Sequence, residues 1–179
     1  MGKTLIISTS LRAGSNSEVL AKECERGARD AGKDVELISL KGKKIDYCIG
    51  CLACQKPGPC VIKDDAAEFV EKVYAAENIV FATPIYYYEM SGQMKTLLDR
   101  LNPLYPTDYK FRNIYMIATA AEDEEFVFEK AYNGLRGWVD CFEKAELKGI
   151  VTGGGIGDAR EANNHKDALK RAYSLGKNL

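Results

Sequence analysis

The chain has almost no net charge, a single histidine and no apolar run that approaches the length of a membrane span, and each shortage removes a class of function. With 25 Lys and Arg against 26 Asp and Glu, there is no electrostatic footprint for nucleic acid or an anionic membrane. A small neutral partner fits better. The N-terminal MGKTLIISTS lacks the basic-then-apolar pattern of a secretory signal, so a cytoplasmic location is expected. In that setting the six cysteines read as reduced thiols, metal ligands or redox groups, not as a disulfide scaffold. The lone histidine, His165, sits one turn from Ala162 and Leu169 in a helical pattern, which suggests a structural or surface role over acid/base work. Repeats, linkers and low-complexity tracts are also missing. The 179 residues are therefore expected to form one domain, 1–179, carrying a cysteine-rich loop at 46–63.

What is present alternates regularly. Short runs rich in Ile and Val at Lys3–Ser8, Val35–Leu40, Asn78–Thr83, Asn113–Thr119 and Lys148–Thr152 predict five buried strands. Between them, Leu20, Cys24, Ala28 and Ala31 share one helical face, as do Phe69, Val70, Val73 and Tyr74, and then Met94, Leu97, Leu98 and Leu101. A fourth helix is predicted over Glu124–Lys144 with Val127, Ala131, Leu135, Trp138 and Phe142 inward, and a fifth from about Asp158 to Leu175, stopping at Gly176. Such β-then-α alternation implies right-handed crossovers and a parallel sheet covered on both faces.

Four cysteines crowd into thirteen residues: Cys48, Cys51, Cys54 and Cys60. Thiolates spaced by two residues can turn toward one point, as a four-iron, four-sulfur cluster or a tetrahedral zinc requires, and a Cys-x-x-Cys disulfide is a third outcome.

Parallel sheets bind ligands beyond the carboxyl ends of their strands. Three segments are expected to meet there. Ser8 to Ser17 is a hydroxyl-rich strand exit with Arg12, entering a helix N-terminus where free amides favour an anion; its plainer alternative is a capped turn. Thr83 to Gly92 is a second exit, whose amides could bond the polar edge of a planar ring and whose tyrosines could pack on it. At least one of Tyr86, Tyr87 and Tyr88 is expected on the surface or at an interface. Thr119 to Asp123 forms the third.

Taken together, Ser10-x-Arg12-x-x-Ser15-Asn16-Ser17, the Cys-x-x-Cys-x-x-Cys-x5-Cys loop with Lys63-Asp64-Asp65, Thr83-Pro84-Ile85-Tyr86, and Lys95 to Asp99-Arg100 resemble the iron–sulfur flavoproteins of the NAD(P)H-dependent FMN reductase group. The resemblance runs from Lys3 to about Thr119. It implies a flavodoxin-like three-layer α/β sandwich with a five-stranded parallel sheet of order 2-1-3-4-5. It also implies FMN, with Ser10, Arg12, Ser15, Asn16 and Ser17 around the phosphate, and Pro84, Ile85, Tyr86, Tyr87 and Thr119 along the rest of the cofactor. Cys48, Cys51, Cys54 and Cys60 would hold a 4Fe–4S cluster. A homodimer or homotetramer is implied as well, for which Leu104, Tyr105, Pro106, Tyr109 and Phe111 offer an aromatic surface.

The expected activity is hydride transfer from NAD(P)H to flavin and electron release to an acceptor, with no side-chain acid or base required and no catalytic residue assigned. The competing readings are a non-enzymatic flavin electron carrier and a zinc or disulfide redox sensor. Carriers of the flavodoxin type resemble strongly acidic proteins with a Thr/Ser-x-Thr-Gly-x-Thr loop, and neither feature is present. Cys24 and Cys141 read as packing thiols, Lys95, Asp99 and Arg100 as surface ion pairs or subunit contacts, and Gly153 to Gly157 as a mobile loop.

Overall fold

A computed structural model describes residues 2–56 and 58–179; Pro57, within the cysteine-rich segment, lies outside the described residues. The strands are β1 (Thr4–Ser8), β2 (Val35–Ser39), β3 (Asn78–Tyr86), β4 (Glu89–Met90), β5 (Asn113–Thr119) and β6 (Glu146–Gly153). The helices are α1 (Asn16–Asp30), α2 (Ala66–Ala75), α3 (Gly92–Arg100), α4 (Glu129–Val139) and α5 (Lys166–Asn178). Five strands run parallel in the order β2-β1-β3-β5-β6, and β4 pairs antiparallel with the end of β3. Counting only the long strands, this is the expected 2-1-3-4-5 flavodoxin-like sheet.

The period-two alternation of side chains divides the core between two faces. Leu5, Ile7, Ile79, Phe81, Ile114 and Met116 point toward α2, α3 and α4, while Ile6, Val80, Ala82, Ile117 and Val151 point toward α1 and α5. Both sheet faces are thus covered, which is why the strands read as unbroken apolar runs. No described helix is long and apolar enough to cross a membrane.

Several expectations need correction. The fourth helix begins as a 3-10 turn over Glu125–Phe128 and ends at Val139, so Trp138 lies in its last turn and Phe142 in the turn beyond. Tyr109 and Phe111 are core residues: their rings stack at 4.3 Å, and Phe142 packs edge-on to both at 5.1 Å. Of the proposed aromatic contact surface, Leu104 is buried too and Tyr105 is the exposed large residue. The fifth helix starts at Lys166, where the His165 ring accepts a hydrogen bond from the Ala168 amide and caps it. The helix then continues through Gly176. Cys24 is a packing thiol, pushed up to about 12 by burial. Cys141 is exposed, its thiol donating to the Gly137 carbonyl.

Candidate functional site

At the carboxyl end of β1 the chain turns through Thr9 to Ser15 before entering α1. Gly14 adopts φ +68, a conformation open to residues without a Cβ. The Ser15 hydroxyl makes no capping bond to the first turn; it pairs instead with the Ser17 hydroxyl at 3.0 Å. The α1 amides are therefore left to an incoming acceptor. Asn16 ties this turn to the far side of the sheet, donating to the carbonyls of Ile156 (3.2 Å) and Asp158 (2.8 Å) and accepting from the Ala162 amide. Arg12 donates to the Gly157 carbonyl at 2.8 Å. Arg160 donates its amide to the Gly14 carbonyl and lays its side chain across Gly14, where a Cβ would meet its Cγ at 2.8 Å. Neither Arg12 nor Arg160 has a carboxylate partner among the described residues.

The second wall is the exit of β3. Thr83, Ser91 and Thr9 form a buried hydroxyl network in which Ser91 caps α3 by accepting from the Met94 amide. Beyond it, Tyr87 (φ 51) and Tyr88 (φ 65) form the two-residue turn between β3 and β4. Bulky residues are rare there, because both positions ordinarily call for Asn or Gly. Tyr88 is tied down by donating its hydroxyl to the Glu122 carboxylate, a bond that raises its pKa. Tyr87 is 99% exposed at the tip.

The third wall combines Thr119, Ala120 and Ala121 with Ile156 and Gly157. Gly154 lets these loops close, since a Cβ there would lie 2.7 Å from the Asp123 Cα. The glycine run is accordingly hydrogen-bonded into the site, through the Gly155 amide to Glu122 and the Ile156 amide to Ala120, and is not the mobile loop expected.

One cavity of about 200 Å³ results, lined by Ser10, Arg12, Ser15, Asn16, Pro84, Ile85, Tyr86 and Thr119 together with Ala120, Ala121, Ile156 and Gly157. Ser17 lies buried behind it and Tyr87 stands outside. The sequence pattern puts Ile156 and Gly157 in a glycine run without specific chemistry and Arg160 inside the expected fifth helix, so neither stood out as a site segment; Asn16, with its polar side chain at a helix start, held the local clue.

The cysteine-rich segment follows β2 and is closed at its base. The Asp65 amide donates to the Lys44 carbonyl and the Lys44 amide to the Asp65 carboxylate, while the Asp46 amide donates to Asp64. Arg100, at the end of α3, sits inside this closure. It makes two bonds to Asp64 at 2.6 and 2.9 Å and reaches the carbonyls of Asp46 and Ile62, on either side of the cysteine run. Burial disfavours the Arg100 charge, but the hydrogen bonds and charge of Asp64 outweigh it and raise the pKa. Burial likewise opposes ionisation of Asp64, and Arg100 with the amides of Asp46 and Ala66 reverses the balance, holding its carboxyl below the usual range. Arg100 is thus a buried clamp and not a surface pair; Lys95 and Asp99 do form the exposed pair expected.

The four thiols divide two and two: Cys54 is buried and Cys60 half-buried, whereas Cys48 and Cys51 are exposed. None of them is in a disulfide. Among the described residues, no three Cys, His, Asp or Glu side chains gather closely enough to ligate one ion.

The family model for NADPH-dependent FMN reductase matches residues 3–126. The chain belongs to this FMN reductase family. It is 37% identical over 102 residues to an iron-sulfur flavoprotein of Methanocaldococcus jannaschii, covering 57% of this chain and 53% of that protein. The matched part spans about half the length of the curated relatives it resembles most, 53% and 46% in two cases. Among solved structures, an NAD(P)H:quinone oxidoreductase from Methanothermobacter marburgensis superposes with a TM-score of 0.77 at 18% identity, over 99% of this chain and 95% of the other. An FMN-dependent NADH-azoreductase from Bacillus anthracis in complex with FMN gives 0.69 at 15% identity, over 99% of each chain. At those identities the structures speak for the fold.

For a member of the FMN reductase family, the donor set suits a phosphate: uncapped helix amides, serine hydroxyls and the Arg12 cation, which has no carboxylate partner among the described residues. The cavity is smaller than the roughly 300 to 1,000 Å³ of a typical ligand pocket, so it has room for a phosphate-sized group and not for a whole flavin nucleotide.

Proposed function

We propose that this protein is an FMN-dependent oxidoreductase that takes hydride from NAD(P)H and passes electrons to an acceptor through an iron–sulfur cluster. The observation that carries the flavin assignment is the uncapped start of α1 facing Arg12 and the other two strand exits across one cavity. The hydroxyls of Ser10, Ser15 and Ser17 and the α1 amides would donate to the phosphate oxygens, Arg12 would supply the opposing charge, and Asn16 would hold the 156–162 segment closed behind it. Pro84, Ile85, Tyr86, Tyr87 and Thr119 would border the ring. When bound, FMN supplies the hydride-accepting and electron-releasing chemistry. The chain's part is to fix the cofactor and leave one face open to a nicotinamide, which the exposure of Tyr86 and Tyr87 allows.

Cys48, Cys51, Cys54 and Cys60 would hold the cluster. They fit it in kind, as four thiols on one loop that packs against the end of α3, and the relatives named for iron and sulfur support it. The exposed Cys48 and Cys51 would have to move in toward Cys54 and Cys60. Assembly into a homodimer or homotetramer belongs to the same proposal, with Tyr86, Tyr87 and Phe126 as the exposed aromatics near the site.

Removing a charge-assisted contact costs about 1.5 to 3 kcal/mol, so Arg12→Ala is expected to weaken FMN binding at least roughly tenfold in a fluorescence titration. Wild-type protein that neither carries nor binds FMN would refute the assignment. Anaerobic rapid mixing of the FMN form with NADH and with NADPH is expected to bleach the flavin. Failure of both nucleotides would favour an electron carrier. Iron and sulfide analysis of anaerobic protein separates the cluster from a zinc or disulfide sensor.

A further inference from the structure

We infer that Asn102 and Arg100 are positioning residues for the cysteine sulfurs, each directing an N–H donor at one of the two inner thiols and so setting the affinity and reduction potential of the metal site they build. This rests on the cluster assignment above. Nδ2 of Asn102 lies 3.1 Å from Sγ of Cys54, and Nη2 of Arg100 lies 3.7 Å from Sγ of Cys60. Both donors come from the end of α3 and the 3-10 turn after it (Asn102–Leu104), so one rigid element addresses both sulfurs. The backbone on each side is fixed independently. The Gln55 side chain donates to the Asn102 carbonyl, and Arg100 grips Asp46 and Ile62 outside the cysteine run.

A second observation points the same way. Nε of Arg100 is buried with no hydrogen-bond partner, although every other nitrogen of that guanidinium has one. An unpaired buried N–H is costly and needs an explanation. A sulfur ligand brought in beside Cys60 would supply the missing acceptor. N–H donors to thiolate sulfur stabilise the more negative, reduced state of a cluster and raise its potential, and they favour the deprotonated sulfur that binds metal.

The test uses full-length protein in its FMN form, loaded anaerobically with ferrous iron and sulfide, and compares wild type with Asn102→Leu and Asn102→Asp. The expected result is that both variants keep FMN and an unchanged flavin potential while the cluster potential, read by EPR during a redox titration, shifts lower, furthest in Asn102→Asp. A packing role for Asn102 predicts wild-type behaviour for the near-isosteric aspartate, and an unchanged cluster potential in both variants overturns the inference. Wild type that takes up no iron and sulfide refutes the cluster assignment alone; Co(II) then serves as the probe, through its thiolate-to-metal absorption band. Asn102→Leu is expected to bind Co(II) about tenfold more weakly. Equal affinity, or no such band in the wild type, overturns the inference. Arg100→Lys, which keeps the charge and loses the fork, is expected to shift the potential in the same direction if it folds.

Discussion

Asp64→Ala is expected to lose about 3 to 5 kcal/mol of stability in chemical denaturation, the penalty typical of breaking a buried ion pair from one side. The side chains of Asp64 and Arg100 are each 1% exposed, so the change leaves a buried guanidinium charge without its counterion. It also removes the acceptor for the Asp46 and Ala66 amides, which close the cysteine-rich segment at its base. By contrast, the exposed Lys95 and Asp99 pair is worth only about 0.3 to 0.5 kcal/mol. Replacing both buried partners, as in Asp64→Leu with Arg100→Met, is expected to recover much of the loss, because no charge is then stranded. Acid titration gives an independent check. The folded Asp64 carboxyl sits below its unfolded value near pH 3.9, so its stabilisation is complete above about pH 4 and disappears as pH falls through the folded value. Glu36, held low by Lys3 and Lys72, acts in the same direction, which makes the double variant the proper reference. If wild type and the double variant lose stability in parallel on acidification, Asp64 does not carry this linkage.

The three central strands β1, β3 and β5 were legible because each is buried on both faces and therefore appears as an apolar run, while the partly exposed edge strands β2 and β6 kept enough Val, Leu and Ile to be read. β4 was not, since its turn uses Tyr87 and Tyr88 at positive φ where turn chemistry calls for Asn or Gly. The segments lining the cavity could be named from the first two strand exits, whose polar residues are consecutive. The third wall could be named only in its Thr119 to Asp123 half: the Ile156 and Gly157 half depends on Asn16 reaching Ile156 and Asp158, about 140 positions away, and such pairings leave no local period. Arg100 was hidden for the same reason, its partner Asp64 lying 36 residues earlier, while the nearby Lys95 and Asp99 offered an obvious i,i+4 pair. Tyr109 and Phe111 precede β5 in an irregular stretch without periodicity, so nothing local shows that they turn inward onto Phe142. Gly176 was read as a helix stop, although helix-ending glycines and helix-packing glycines look alike until the neighbour is known.

That neighbour is α1, and Gly176→Ala is expected to destabilise the protein by about 1 to 3 kcal/mol or more, the cost of overpacking a close contact. A Cβ at Gly176 would lie 1.9 Å from the Cys24 carbonyl oxygen and 2.8 Å from the Ala28 amide nitrogen. Gly27 makes the reciprocal approach, with its Cβ 2.1 Å from the Tyr173 carbonyl oxygen. Both obstacles are backbone, so no rotamer change can relieve them, and α1 and α5 must separate. Helix propensity alone points the other way: alanine in a helix interior is favoured over glycine by about 0.8 to 1 kcal/mol. Gly137→Ala in α4, where a Cβ meets nothing within 4 Å, isolates that term and is expected to stabilise the fold. The displaced helix matters to the site, because α1 presents its first amides to the cavity and α5 follows the Ile156–Asn164 segment that Asn16 holds. Gly176→Ala is therefore expected to weaken FMN binding as well as lower the urea midpoint, while Gly137→Ala leaves the affinity unchanged. Equal urea midpoints for Gly176→Ala and wild type would show that the two helices are not in the close contact described.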